Sequence, residues 1–171
     1  DQLSIRTNKR KNIYILTGHT STDNTETFLL NLCRGSNYNG LSGIRKKRLL
    51  DRKFYLVRPF LIFSREDTRD ICQALEIPIW EDPSNSDVNI KRNLIRMHIM
   101  PNLERIYPGC TKRINGFIDK MNNYKNEQTD LVKLALISCS NKGGLNRLLF
   151  KNTGKEARGS LLNAFIKKKC L

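Results

Sequence analysis

The chain has 171 residues, of which 39% are hydrophobic and 27% charged, a balance typical of a folded protein and unlike that of a disordered one. No apolar run approaches the roughly 20 residues that a membrane-spanning helix needs. The polar stretch Asp1 to Lys11 does not read as a secretion signal, and the missing initiator methionine predicts a start inside a longer protein. The net charge of +15 indicates a polyanionic partner, most commonly nucleic acid, although merely solvated lysines are the alternative.

The five cysteines are widely spread, and no two of them stand two residues apart. Zinc and iron–sulfur sites usually require close pairs, so we predict no metal site. Cys33 and Cys72 lie in apolar helical contexts and are predicted to be small buried hydrophobes. This pattern favours a reducing compartment.

The first half of the chain predicts an α/β unit. Residues 12–16 form an apolar run that predicts a buried strand, and a helix is predicted from Asp23 to Arg34. Its buried face is expected to carry Phe28, Leu29, Leu32 and Cys33. Strand, polar turn and helix in this order are typical of a doubly wound parallel sheet.

Three further elements are predicted before residue 108. Residues 54–63 predict a strand and then a turn, and Ser64 predicts the start of a helix that runs to about Leu75. That helix is expected to bury Ile71, Cys72 and Leu75. A longer helix is predicted over residues 90–106, bent or broken before Pro101.

A domain boundary is predicted near residue 108, with an α/β domain over 1–108 and an all-helical domain over 109–171. Apolar residues recur at helical spacing in two helices, the first over 114–124 and the second around 131–135. The segment 141–144 breaks the pattern. A final helix is expected to place these side chains on one face: Ala157, Leu161, Leu162, Phe165 and Ile166.

The first candidate site is formed by His19, Asp23 and Glu26. In open α/β sheets ligands lie beyond the carboxyl ends of the strands, where His19 is predicted to be. Asp23 and Glu26 are three residues apart and share a helical face, so they could hold an ammonium group or Mg²⁺. Alternatively, both acids only compensate the helix dipole, with His19 a polar turn residue.

The second candidate site is the polar run from Asp82 to Asp87 with the helix that follows it. Arg92 and Arg96 are four residues apart, a spacing that suits a phosphate because each guanidinium offers forked donors. The alternative is pairing of these arginines with Asp82 or Asp87. The basic clusters 45–48, 91–92 and 167–169 lack interleaved aromatic residues and favour contacts to an RNA backbone, which should weaken steeply with salt.

Two stretches resemble the tRNA(Ile)-lysidine synthetases, a family of PP-loop ATP pyrophosphatases. Residues 17–44, which include Thr17-Gly18-His19 and Arg34-Gly35-Ser36, are similar to the family signature GHHxDDQxETFLLxLLRGSGxxGLxGM. Residues 81–103 are similar to its block EDPSNxDxxxxRNxIRxxxxPxL, and Arg58-Pro59 with Ser64-Arg65-Glu66 matches the segment between the two. The resemblance implies a Rossmann-like (adenine nucleotide alpha hydrolase-like) parallel sheet, truncated at its N-terminus and followed by a small helical domain.

The resemblance also implies an activity, in which lysine is ligated to the wobble cytidine of tRNA(Ile) with a CAU anticodon. ATP, with Mg²⁺, first adenylates the cytosine, and the lysine amine then displaces AMP, which changes the codon and amino-acid specificity from methionine to isoleucine. His19, Asp23 and Glu26 are implied to be catalytic. The residues implied to bind substrate or tRNA are Arg34, Gly35, Ser36, Asn85, Asp87, Arg92, Asn93 and Arg96.

The chain departs from the family pattern in three places. Nothing in it resembles the SGGxDS phosphate loop, so ATP phosphates have no backbone cradle and we expect the chain alone to be inactive. Thr20 and Thr22 replace the second histidine and the first aspartate of the signature, and Asn24 stands where glutamine is common. An incomplete sequence is the simplest account of the missing loop.

Two other functions remain open. One is a tRNA thiolation enzyme of the same superfamily, although such enzymes generally carry the cysteine pairs that this chain lacks. The other is a non-catalytic RNA-binding relative. Richness in Asn, Lys and Ile favours an A+T-rich genome. The resembled family occurs in bacteria and in some algal plastid genomes, so the resemblance implies a plastid stroma or, as the alternative, a bacterial cytoplasm.

Overall fold

The computed structural model describes residues 12–141 and 144–169, without the side chains of Ser86, Asn141 and Lys169. The expectations for Asp1 to Lys11, for residues 142–143 and for Cys170 fall outside these ranges. The described chain divides into two compact units, the first ending at Asp119 and the second beginning at Lys120. The predicted domain boundary near residue 108 stays a prediction. No helix among the described residues is long and apolar enough to cross a membrane.

The sheet of the first unit has three strands, in the order β1, β3, β2. β1 (Ile13–Leu16) runs parallel to β3 (Phe54–Val57), and Ile13 lies opposite Phe54 in the register. β2 (Lys47–Asp51) pairs antiparallel with β3 and contains an irregularity between Leu49 and Asp51. The prediction of a parallel sheet is therefore correct for β1 and β3, and β2 makes the sheet mixed.

Five helical segments complete the first unit before its last long helix. They are α1 (Ser21–Cys33), α2 (Arg65–Ala74), α3 (Lys91–Leu94), a π-helical turn (Ile95–Ile99) and α4 (Met100–Ile106). The predicted helix over 90–106 is thus interrupted by the π turn, directly before Pro101. The described part of this unit also contains three short 3-10 turns: Gly40–Ser42 after α1, Pro59–Ile62 after β3 and Pro83–Ser86 before α3.

The remaining elements are α5 (Cys110–Cys139), β4 (Ser140–Asn141), β5 (Gly144–Leu145), α6 (Arg147–Asn152) and α7 (Lys155–Lys169). α5 is one helix of 30 residues where two were predicted. β4 and β5 pair antiparallel, so the prediction of an all-helical second domain is wrong at this short ladder.

The buried apolar side chains are few and lie mainly on helices. In the first unit they are Phe28, Leu61, Met100, Cys110 and Ile118, and in the second Leu136, Cys139 and Leu161. Phe28 on α1 meets Phe117 on α5 edge to face, with ring centroids 6.1 Å apart. The N-terminal part of α5 therefore packs on α1, the helix that carries the first candidate site.

Several predictions of burial are wrong. Tyr14, Ile15 and Leu16 of β1 are exposed, because β1 is an edge strand among the described residues and too few elements cover it. On the helices, these side chains predicted to be buried are exposed: Leu32, Cys33, Ile71, Leu75, Ala157, Leu162 and Ile166. Cys72 is half-buried. Cys33, Cys72, Cys110 and Cys139 are free thiols.

Asn24 joins three segments of the first unit. Its Oδ1 accepts a hydrogen bond from the backbone N–H of Ile44 at 2.6 Å, and its Nδ2 donates to Asn115 Oδ1 on α5 at 2.7 Å. Gly43, with φ of +65°, comes so close to the Asn24 carboxamide that a Cβ would collide with it. The residue that departs from the common glutamine thus holds the loop after α1 against α1 and α5.

Candidate functional site at the carboxyl ends of the parallel strands

The candidate site lies where β1 and β3 both end. The chain leaves β1 through Thr17, Gly18 and His19, and it leaves β3 at Arg58; the N–H of Thr17 donates to the carbonyl of Val57 at 3.0 Å. The Nδ1 atom of His19 lies 3.0 Å from Thr17 Oγ1. His19 is therefore positioned at the strand ends, as predicted, which is where ligands bind in open α/β sheets.

α1 begins immediately after this turn, with a capping box. The carboxylate of Asp23 accepts hydrogen bonds from the backbone N–H and the hydroxyl of Thr20, each at 2.8 Å, and the Thr20 hydroxyl accepts in return from the Asp23 N–H. Thr22 accepts from the N–H of Arg65 at 3.1 Å, which ties the start of α2 to α1. Both threonines that depart from the family signature therefore have a structural role beside the site: Thr20 caps the N-terminus of α1, and Thr22 binds the N-terminus of α2.

Asp23 keeps its negative charge in spite of its burial. Burial alone would raise its pKa, but the hydrogen bonds from Thr20 and the positive charges of Arg92 and Arg65 outweigh it, so the pKa lies below its ordinary range. Asp23 is therefore a carboxylate at neutral pH.

Glu26 lies beneath the site, and its side chain is fully buried. Its Oε2 accepts from Arg92 Nε at 2.7 Å and from Arg96 Nη2 at 3.0 Å, while its Oε1 accepts from Arg96 Nε at 2.7 Å. The hydrogen bond to Glu26 raises the pKa of Arg96. Both carboxylate oxygens of Glu26 are thus occupied by guanidinium groups.

The same two arginines also reach Asp23. Arg92 Nη2 lies 3.0 Å and Arg96 Nη2 lies 3.4 Å from Asp23 Oδ1, and Arg65 Nη2 lies 3.8 Å from that oxygen. Three guanidiniums therefore face the carboxylates of Asp23 and Glu26, which leaves one positive charge uncompensated. Arg92 is the more accessible member of the pair, since its side chain is 34% exposed and that of Arg96 16%.

An open cleft of about 410 Å³ covers this network. It is lined by Gly18, His19, Asp23, Arg65, Asn85, Arg92, Asn93 and Arg96. Its cationic excess suits an anionic group such as a phosphate, because forked guanidinium donors match phosphate oxygens. The structure thus brings the two candidate sites together in one cleft.

The predicted site residues in and after the polar loop differ in their relation to the cleft. Asn85 lines the cleft and accepts from Arg96 Nη1 at 3.2 Å. Asn93 is buried, and its Nδ2 donates to the carbonyls of Ser84 and Asp87, each at 2.9 Å, so it fixes the loop. The carboxylate of Asp87 accepts from Asn89 and is not among the cleft-lining groups of the described chain.

The alternative partners predicted for Arg92 and Arg96 are wrong. The arginines do pair within the chain, but with Asp23 and Glu26 on α1, and not with Asp82 or Asp87. The Asp82 carboxylate caps its own turn by accepting from the N–H of Ser84 at 2.9 Å. The correct partners lie 66 to 73 residues away in the chain and are not visible in local spacing.

Arg34, Gly35 and Ser36 lie at the far end of α1. The 13 residues of this helix span about 20 Å from the capped N-terminus at the cleft, and none of the three is among the groups that line it in the described ranges. Gly35 takes a positive φ of +68° just after the helix, and the N–H of Ser36 donates to the carbonyl of Asn31. A role for these residues toward nucleotide or tRNA stays a prediction.

Two arginines near the site were not among the predicted site residues. Arg65 lines the cleft from the first position of α2, and Arg58 follows β3. Arg58 Nη1 donates to the carbonyl of Arg45 at 2.8 Å, and its buried Nε has no hydrogen-bond partner among the described residues. The sequence did contain a signal for both arginines. Arg58 directly follows a predicted strand, as His19 does, and Arg65 stands at a predicted helix start, positions that lie near the ligand site in an open α/β sheet.

A metal site is not evident in the described ranges. No group of three or more His, Cys, Asp or Glu side chains there could hold a metal ion. The spacing of Asp23 and Glu26 could suit Mg²⁺, but their oxygens are engaged by arginines and by Thr20.

His19 is expected to be neutral at physiological pH. Partial burial and the positive charge of Arg58 lower its pKa, Asp23 opposes them, and Arg92 lowers it further. We therefore expect Arg58→Met to raise the pKa of His19 and Asp23→Asn to lower it, both measurable by NMR titration of the imidazole signals. Arg69→Met, which removes an exposed arginine paired with Glu81, is the matched control. An unchanged pKa of His19 in Arg58→Met would contradict the proximity of the two side chains.

The fold and the cleft define an α/β protein with a small mixed sheet and a cationic cleft at the carboxyl ends of its two parallel strands. Comparison with known proteins is more specific. A family model described as a PP-loop domain matches residues 3–103, more than half of the chain. The chain belongs to the PP-loop domain family. This domain has the Rossmann-like fold predicted from the sequence.

Curated relatives with the same printed name match most of the chain. A tRNA(Ile)-lysidine synthase of Prochlorococcus marinus subsp. pastoris (strain MED4) is 59% identical over 170 residues, which cover 99% of this chain and 51% of the relative. One from Prochlorococcus marinus (strain SARG) is 42% identical over 148 residues, 86% of this chain and 44% of the relative.

A chloroplastic tRNA(Ile)-lysidine synthase from Gracilaria tenuistipitata var. liui is 33% identical over 155 residues, 88% of this chain and 48% of the relative. The chain thus spans about half the length of the curated relatives that it matches. The resemblance to the lysidine synthetases, first drawn from two motif blocks, is confirmed.

Proposed function

We propose that this chain forms the part of a tRNA(Ile)-lysidine synthetase that faces lysine and the activated cytidine. The observation that carries the proposal is the pairing of Arg92 and Arg96 with Asp23 and Glu26, because it unites the two motif blocks in one cleft. The names of the relatives support the same reaction. The protein would join lysine to the wobble cytidine of tRNA(Ile) with a CAU anticodon, at the expense of ATP.

We assign to Arg92 the stabilisation of the negative charge that develops during the reaction. When bound, ATP would supply the adenylyl group that activates the cytosine. The surplus positive charge of the cleft suits the phosphate of such an adenylate, and a preorganised guanidinium stabilises negative charge without reorganising. Arg65 and Arg96 flank the same position.

His19 is the group that we assign to proton transfer. Its lowered pKa leaves the imidazole neutral and able to accept a proton at physiological pH, and the lysine amine must lose a proton to attack as a nucleophile. Asp23 offers a cationic substrate no uncompensated negative charge, because three arginines face the carboxylates of Asp23 and Glu26.

Glu26 acts, in this proposal, through the arginines and not on the substrate. Its side chain is buried, and both of its oxygens already accept from Arg92 and Arg96. It is therefore a positioning residue, which fixes the direction in which the two guanidiniums point. The resemblance implied a catalytic role for Glu26, and we now propose a positioning role in its place.

The ATP phosphates and Mg²⁺ are assigned no ligands in the described chain. A glycine-rich loop of the SGGxDS type is not found in the printed sequence, and the cleft carboxylates offer Mg²⁺ no free oxygen. The cyanobacterial and chloroplastic relatives support a plastid stroma or a bacterial cytoplasm as the location.

The proposal is tested by incubating the full-length protein with ATP, radiolabelled lysine and a tRNA(Ile) transcript with a CAU anticodon. We expect label in the tRNA, recovered as lysidine after nuclease digestion, and none in a transcript whose wobble cytidine is replaced by uridine. Binding of tRNA without incorporation of lysine would overturn the proposal in favour of an RNA-binding relative. Transfer of labelled sulfur in place of lysine would favour a thiolation enzyme.

A further inference from the structure

The second strongly charged surface of the molecule is the hairpin of β2 and β3. Seven of the fourteen residues from 45 to 58 are Arg or Lys, and only Asp51 is acidic. The basic residues are Arg45, Lys46, Lys47, Arg48, Arg52, Lys53 and Arg58. In the linear sequence only residues 45–48 form a basic cluster. The hairpin turn adds Arg52 and Lys53 to it, and the pairing of β2 with β3 brings Arg58 beside Lys46.

These charges are not neutralised within the described chain. No carboxylate oxygen of the described residues lies within 4.0 Å of a basic group of the hairpin, whereas the arginines of the cleft are all paired. All residues of β2 are exposed, as are Arg45, Lys46, Arg52 and Lys53. Burial lowers the pKa of Arg58, and the nearby positive charge of Arg48 lowers it further.

Protection of an edge strand explains only part of this charge. Edge strands often carry a lysine to discourage pairing with another sheet, and Lys47 and Arg48 on β2 could serve that purpose. Arg52 and Lys53 lie in the turn and Arg45 lies before the strand, where no sheet edge needs protection. A concentration of like charge that the fold does not need indicates a polyanionic partner.

The hairpin is continuous with the cleft. β3 ends at Val57 beside Arg58, whose charge acts on His19, and its other end leads to the hairpin turn. Four residues of a strand span about 13 Å, so the basic surface extends roughly that far outward from the rim of the cleft. A chain of phosphates that enters the cleft would pass along it.

Aromatic side chains border the basic residues. Tyr14 and Tyr55 stack with ring centroids 5.5 Å apart, and the Lys47 ammonium lies 4.2 Å from the Tyr55 centroid and 5.1 Å from that of Tyr14. The cluster 45–48 has no interleaved aromatic residue in the sequence, as predicted, and the neighbouring strands β1 and β3 place Tyr14 and Tyr55 beside it.

We propose that the basic hairpin of residues 45–58 is a docking surface for the sugar–phosphate backbone of the tRNA whose anticodon enters the cleft. This inference rests on the proposed function, because the proposed function identifies the RNA as this tRNA. Contacts to phosphates position an RNA without reading its sequence, so this surface supplies affinity and orientation, and the cleft selects the base.

The test compares two triple variants of the full chain that remove the same charge. The hairpin variant is Arg48→Gln, Arg52→Gln and Lys53→Gln, and the control is Arg147→Gln, Lys151→Gln and Lys155→Gln at exposed positions of α6 and α7. Binding of the unmodified CAU tRNA(Ile) transcript is measured by fluorescence anisotropy from 50 to 300 mM salt. Circular dichroism verifies that each variant is folded.

We expect the hairpin variant to raise the Kd about tenfold or more, and to reduce the slope of log K against log salt by about 2, because each lost phosphate contact removes about 0.7 to 0.9 from the slope. The control should change the Kd by about twofold or less. An unchanged slope in the hairpin variant would overturn the proposal, as would equal losses in both variants.

The inference and the proposed function fail separately. One outcome would overturn the docking surface alone. In it the wild-type protein forms lysidine, and the hairpin variant has the same KM for tRNA as the wild-type protein. No lysidine from the wild-type protein, with tRNA binding that still depends on the hairpin, would overturn the enzymatic function and leave the docking surface in place.

Discussion

Glu26→Gln is expected to lower the free energy of unfolding by about 2–4 kcal/mol, because it removes the buried charge that two guanidiniums share. The substitution keeps the side-chain volume but places an NH₂ group against arginine donors. Arg92 and Arg96 are partly exposed and regain some hydration, which keeps the loss below that of a fully buried pair. Urea denaturation followed by circular dichroism measures the change.

Glu81→Gln is the matched control for this experiment. Glu81 also pairs with an arginine, Arg69, at 3.4 Å, but both side chains are largely exposed. Such pairs contribute little, so we expect a change of about 0.5 kcal/mol or less. Equal effects of the two substitutions would contradict the view that Glu26 holds the cleft together.

In the full-length protein, Arg92→Met is expected to reduce kcat/KM for lysidine formation by about 100-fold or more, because it removes a preorganised guanidinium from the cleft. The protein should lose less stability than in Glu26→Gln, since Glu26 retains two hydrogen bonds from Arg96. Arg92→Lys keeps the charge without the forked donors and should restore only part of the activity.

Separate assays locate the step that Arg92 serves. Adenylate formation is measured as the release of pyrophosphate. Lysine transfer is measured as the incorporation of labelled lysine into the tRNA. We expect both to fall in Arg92→Met, and neither to fall in Arg105→Met, which removes an exposed arginine of α4. Wild-type rates in Arg92→Met would contradict the assignment.

Local features of the fold could be predicted from the sequence because local chemistry determines them. β1, the N-terminus of α2 at Ser64 and the π turn ahead of Pro101 follow from side-chain pattern, capping and proline geometry. β2 was not predicted as a strand, since its Lys47 and Arg48 suggest a solvated cluster. Only the antiparallel pairing with β3 gives these polar residues an extended conformation.

Burial was harder to predict than secondary structure. An apolar face indicates that a side chain can be buried, but a neighbouring element must cover it. Leu75 and Leu16 belong to correctly predicted elements and are exposed, because the described residues provide no such cover.

The composition of the site could be predicted, but its internal pairing could not. His19, Asp23, Arg92 and Arg96 were each candidates on local grounds and all line the cleft. Which arginine meets which acid depends on packing between α1 and the segment of α3 and the π turn, far apart in the chain. Periodicity within one helix carries no information about a partner on another.

The distance in sequence between these partners has a consequence for folding. The hydrogen bonds of Glu26 close loops of 66 and 70 residues, so the network forms only after the intervening strands and α2 have brought their ends together. During synthesis Asp23 and Glu26 leave the ribosome well before Arg92 exists. A chain interrupted between them would carry two acids without counter-charges at the start of α1, and the cleft would mature only after Arg92 and Arg96 have been made.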